Sequence, residues 1–225
     1  MTTTTNAHPR PALSAGLVRP VTPEGCRFFL CEQLLEARRG SWLPTNIAGP
    51  DEDVNIYLAL RLEALTSGLV DPRVVPASAL LNPGPDPTLG RAARAAWYRA
   101  NGDHRLLHLG LFDRGETCRR RAIPWGLTAA EVRARDLAVA AACYEAAARL
   151  LERGPGRGGA PAAVLAKLAG RCEDYLHVLG ALAVRRLGLG ARLTDSDLSA
   201  FTEPAAGAAT AEVASLLKAV QMATR

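Results

Sequence analysis

Thr128 and Glu131 stand three residues apart at the head of an alanine-rich run, and this pair constrains the fold more than any other feature. In such a capping box each side chain bonds the other residue's free backbone amide, so the spacing predicts a helix start. The helix it opens reads from about 129 to 153. Val132, Leu137, Val139, Ala140, Cys143, Tyr144, Ala147, Leu150 and Leu151 form its apolar face. The glycine-rich stretch 154–159 breaks it. Pro161 then starts a second run through Leu165, Leu168, Cys172, Tyr175, Leu176, Leu179, Leu182 and Leu187, ended by Gly188 and Gly190. Two long helices joined by a short loop pack antiparallel. The chain is therefore expected to be all-α, a bundle of six to eight helices around this hairpin.

The remaining elements read in the same way. Thr22-Pro23-Glu24 is a cap, a first-turn proline and a first-turn acid. Phe28, Leu30, Cys31, Leu34 and Leu35 follow at helical spacing, up to Gly40. A second helix starts near Asp51 and runs through Ile56, Tyr57, Leu60, Leu62 and Leu65 to Gly68, apolar enough to be largely buried. The prolines of 71–87 forbid a continuous helix there and leave room for a short strand. Asp86-Pro87 predicts a third helix, Thr88 to Ala100, with Ala93, Ala96, Trp97 and Ala100 inward. Asn101-Gly102 is expected to end it, so that Asp103 caps a short apolar helix, His104 to Phe112. After 187, a short helix past Thr194-Asp195 and an amphipathic helix from Ala208 to Ala223 complete the reading. Residues 1–20 read as a flexible arm, and 21–225 as a single helical domain.

Composition agrees. Aromatics are only 5%, while alanine and leucine, good helix formers, are abundant. The net charge of +5 is well short of a dedicated nucleic-acid binder. The five cysteines are odd in number and form no CxxC pair; Cys26, Cys143 and Cys172, in or beside apolar helical runs, read as small buried hydrophobes in a reducing compartment, with the cytoplasm as the expected location. No secretory signal and no apolar stretch of bilayer length is visible.

Two constellations could carry chemistry. His104 and His108 are four apart on one predicted helix, and Glu173 and His177 have the same spacing on another. If those helices face each other, the four could bind a divalent transition metal: zinc, iron or manganese. Against this, His108 lies in an apolar run and suits a core position, and Glu173 can pair with His177 along its own helix. No cofactor is expected beyond that metal. The second constellation is a basic segment. From Thr88 to Arg135 there are ten arginines against four acids, with Arg119, Arg120 and Arg121 consecutive in a charged loop. Arginines near Trp97, Tyr98 and Trp125 could bind nucleic acid or another polyanion. The alternative is a solvated face paired to acids of other helices. The glycines of 154–159 follow a helix and lack GK[ST], so they form no phosphate loop.

The stretch Trp97-Tyr98-x3-Gly102-Asp103-x3-Leu107-x2-Gly110-Leu111-Phe112, followed downstream by a long helix containing Tyr144, resembles a group of uncharacterised bacterial all-helical proteins. The likeness covers about the middle half of the chain. It implies a helical fold, with an aromatic-bearing helix, a Gly-Asp turn and a buried helix, and it implies no activity.

The leading functional expectation is a non-enzymatic helical scaffold or protein-interaction protein, with a protein partner or a homodimer. The alternatives are metal or small-ligand binding through His104, His108, Glu173 and His177, and polyanion binding through Arg119, Arg120 and Arg121.

Overall fold

The computed structural model describes residues 23–41, 43, 52–66, 71–75, 84–113, 128–153 and 159–189. The expected N-terminal arm, the Thr22 cap, Cys118, Arg119 to Arg121 and the two helices expected after 190 lie outside them. Among the described residues the chain is all-helical and contains no strand. Six helices follow in order: α1 (Pro23–Gly40), α2 (Glu52–Thr66), α3 (Arg91–Leu111), α4 (Ala129–Glu152), α5 (Ala160–Gly170) and α6 (Cys172–Ala181). A single π turn, Leu182–Arg186, extends α6. No helix among the described residues is long and apolar enough to cross a membrane.

α4 begins as its capping box requires. The Glu131 amide donates to Thr128 Oγ1 at 3.2 Å, and the Thr128 amide donates to Glu131 Oε2 at 2.7 Å. Two of the orphan amides of the first turn are thereby satisfied. These bonds, the backbone one foremost, hold the Glu131 carboxyl below its ordinary pKa.

α3 differs from the expectation. It does not stop at Asn101-Gly102 but runs unbroken from Arg91 to Leu111, and it starts after Gly90 rather than at Thr88. The Asp86 carboxylate instead closes a local turn, accepting from the Thr88 amide at 2.8 Å and the Thr88 hydroxyl at 2.7 Å. The apparent terminator serves tertiary contacts. Asn101 accepts from the Val75 amide at 3.0 Å and donates to the Arg73 and Trp97 carbonyls, each at 2.9 Å. It thus pins the segment 71–75 to the helix. A side chain on Gly102 would stand 3.1 Å from the Tyr144 ring. A mid-helix glycine costs about 1 kcal/mol against alanine, and close packing of a buried tyrosine offsets that. Within α3 Ala95 and Ala100 are buried, whereas Ala93, expected inward, is exposed.

α3 and α4 lie antiparallel in the most extensive helix contact of the fold. Four side-chain links record the direction: Arg91 to the Arg153 carbonyl, Asp103 to Tyr144, Arg105 to Asp136, and Arg133 to Asp113. The expected hairpin is present in part. α5 returns along α4, but the second long helix is broken at Arg171, whose φ of −131° and ψ of 30° leave the helical region. Arg171 Nε there donates to Asp174 at 3.1 Å in the first turn of α6. The break sends α6 away from α4 and onto α3. Gly110 makes this crossing close: a Cβ there would meet Leu179 Cβ at 2.5 Å. Gly188, at φ 58°, turns the chain after the π turn in a conformation that side chains disfavour.

α1 packs against α2, α6 and the π turn, and α2 also touches α5. The core is one cluster in which Leu34, Leu58, Leu106, Tyr144, Leu165, Leu168, Tyr175, Leu179 and Leu182 are almost fully buried. Among the residues expected on apolar faces, Phe28 is instead 66% exposed and Ile56 51%.

Candidate functional site

The polar centre of the described structure is Asp103. It was expected to cap a short helix from His104; it lies instead in the interior of α3, 8% exposed. Tyr57 of α2 donates its hydroxyl to Asp103 Oδ1 at 2.6 Å, and Tyr144 of α4 donates to the same oxygen at 3.0 Å. One carboxylate therefore ties three helices together.

Two guanidiniums flank it. Arg61 lies one turn after Tyr57 on α2, with its guanidinium carbon 5.2 Å from the centre of the Tyr57 ring. Arg99 lies one turn before Asp103 on α3. Both cations act on Asp103 through space, lowering its pKa. Burial outweighs them together with both hydroxyl bonds and pushes the Asp103 carboxyl up to about 6. The same burial, with the carboxylate adjacent, raises Tyr57 and Tyr144 well above ordinary phenols, so both remain donors. Asp71, also in the field of Arg99, already receives Arg73 at 2.7 and 2.9 Å.

A second buried polar contact lies two residues along α3. Arg105 meets Asp136 of α4 at 3.0 Å, their side chains 7% and 10% exposed. Arg133 faces Asp113 at 3.5 Å. These two cations of the basic segment are thus matched by acids. Its loop residues Arg119, Arg120 and Arg121 lie outside the described residues.

The histidines sit as follows. His108 is buried and His104 half-buried; their rings stack at 6.2 Å, and His108 also contacts the Phe112 ring at 6.3 Å. Glu173 and His177 are exposed on α6. Among the described residues no three His, Cys, Asp or Glu side chains are grouped so as to hold a metal ion. Burial pushes the thiols of Cys143 and Cys172 up to about 11 and about 12, and raises that of Cys31 as well. Such thiols stay protonated at neutral pH and are poor nucleophiles.

Sequence reasoning missed the Asp103 cluster. Its one local signal was a pair of four-residue spacings, Tyr57 with Arg61 and Arg99 with Asp103, each placing two polar side chains on one helix face. Gly102 and Asp103 both touch Tyr144, 42 and 41 positions further along the chain.

No protein-family model, curated protein or solved structure matches the chain.

Proposed function

We propose that the chain is a non-enzymatic helical scaffold that acts through its surface, holding a second copy of itself or another protein. One observation carries this reading. α1 and two of the three elements packed beside it, α2 and the π turn, each leave a large apolar side chain in water: Phe28 at 66%, Ile56 at 51% and Val184 at 64% exposure. The opposite side of α1 buries Cys26, Leu30, Leu34 and Ala37, so Phe28 is not a misplaced core residue. An exposed aromatic on a rigid helix is the kind of group that anchors an interface. The polar interior supports the same reading, since Asp103 spends its bonding on joining helices. The free thiols Cys26, Cys31, Cys143 and Cys172 suit a reducing cytoplasm.

Light scattering on the purified full chain, with analysis of co-purifying proteins, tests the proposal. A defined dimer or a stoichiometric partner is expected, lost in Phe28→Glu while the helical circular-dichroism signal is kept. A strictly monomeric protein without a partner overturns it.

A further inference from the structure

We propose that the α2–α3 corner around Arg61, Arg99, Tyr57 and Asp103 is a binding site for a small oxyanion, the phosphate or carboxylate group of a small molecule. The inference is independent of any protein partner. Two helices each present a polar pair at four-residue spacing, Tyr57 with Arg61 and Arg99 with Asp103, and the two pairs face one another across the 2.6 Å Tyr57–Asp103 bond.

The argument begins with charge. Arg61, Arg73 and Arg99 bring three positive charges to this corner, against two negative ones on Asp71 and Asp103. Asp71 is occupied by Arg73. Asp103 has committed Oδ1 to two hydroxyls. Among the described residues neither Arg61 nor Arg99 forms an ion pair or a side-chain hydrogen bond, and the Nε of each is buried with no partner. A guanidinium carries five donors in a planar fork and is costly to draw out of water without an acceptor. Two such guanidiniums beside one carboxylate leave an excess of one positive charge and, on each, one buried Nε–H without an acceptor. A phosphate or carboxylate supplies the missing acceptors and the missing charge, bidentate if the geometry permits.

The corner is also built to hold its shape. Asp103 locks the Tyr57 hydroxyl, the Tyr57 ring supports Arg61, and Asn101 pins the segment carrying Arg73 against α3. Ordering costs on binding are correspondingly low. Tyr57, Arg61 and Arg99 are all half-buried, so the cluster opens to solvent at its edge. Arg105, by contrast, has a carboxylate directly before it, Asp136 at 3.0 Å.

Thermal melting and titration of the full chain at constant ionic strength provide the test, with inorganic phosphate and acetate as separate probes against chloride. Phosphate, acetate or both are expected to raise the melting temperature, and the stronger probe tells which oxyanion the corner prefers. Arg61→Gln and Arg99→Gln are each expected to weaken that binding about tenfold or more, the loss of a charge-assisted hydrogen bond. If those variants do not fold, the arginine Nε–Hε resonances of the unaltered protein decide, since those of Arg61 and Arg99 must shift on titration. The proposal is overturned if neither probe exceeds chloride, if both Gln variants bind undiminished, or if only other arginines shift.

Discussion

Two buried acids, one on α3 and one on the facing α4, solve the same problem in different ways. Asp136 meets Arg105 directly at 3.0 Å, a charge buried against its opposite. Asp103 is held by two tyrosine hydroxyls, with its cations acting only through space. Direct pairing fixes a charge. Hydroxyls satisfy the acceptor but do not neutralise it, so burial dominates and the carboxyl rises to about 6. The first contact is closed, and the second is left able to take up a proton or an anion.

The largest expected effect falls on the closed pair. Asp136→Ala removes the carboxylate facing Arg105 and leaves a guanidinium buried at a site 7% exposed. A loss of about 3–5 kcal/mol is expected in urea unfolding. A loss under 1 kcal/mol would place Arg105 in contact with water and break the comparison.

Next comes the pH dependence of the open one. The folded pKa of about 6 exceeds the ordinary 3.8, so the folded state binds the Asp103 proton more tightly. Its stabilising contribution is full below about pH 4 and is lost as pH rises through 6, on the order of 3 kcal/mol in all. Asp103→Asn keeps an acceptor for Tyr57 and Tyr144 but cannot titrate. The difference in unfolding free energy between wild type and variant should therefore fall across this window. A difference independent of pH would show that Asp103 titrates as it does in water.

The smallest effect tests packing. A Cβ on Gly102 would stand 3.1 Å from two atoms of the Tyr144 ring. Gly102→Ala gains helix propensity but pushes the ring away from Asp103, and a net destabilisation of about 1–2 kcal/mol is expected in thermal unfolding. A stabilised variant would show that the ring moves without strain.

The likeness of this chain to a helical bundle was legible where local physics decides. The Thr128–Glu131 box, the residues Ala140, Cys143, Tyr144 and Ala147 of the apolar face of 129–153, and the buried leucines 165, 168, 176, 179 and 182 all stand as their spacing implies, whereas Val132, Val139 and Leu150 of that face are only half-buried. Asn101-Gly102 was misread because its local preference for a turn is overridden by bonds to 73 and 75 and by a ring from α4. The break at Arg171 was missed for a related reason. Nothing in the leucine repeat announces that α6 must leave α4 to cross α3 at Gly110.

The sequence by itself determined the helical class and the start of α4, since capping and periodicity act within a few residues of one another. Only the tertiary structure decided the Asp103 corner. Its hydrogen bonds join residues 46 and 41 positions apart, and the rise of its carboxyl comes from burial among three helices. Desolvation depends on everything packed around a group, and no spacing along one chain segment encodes it.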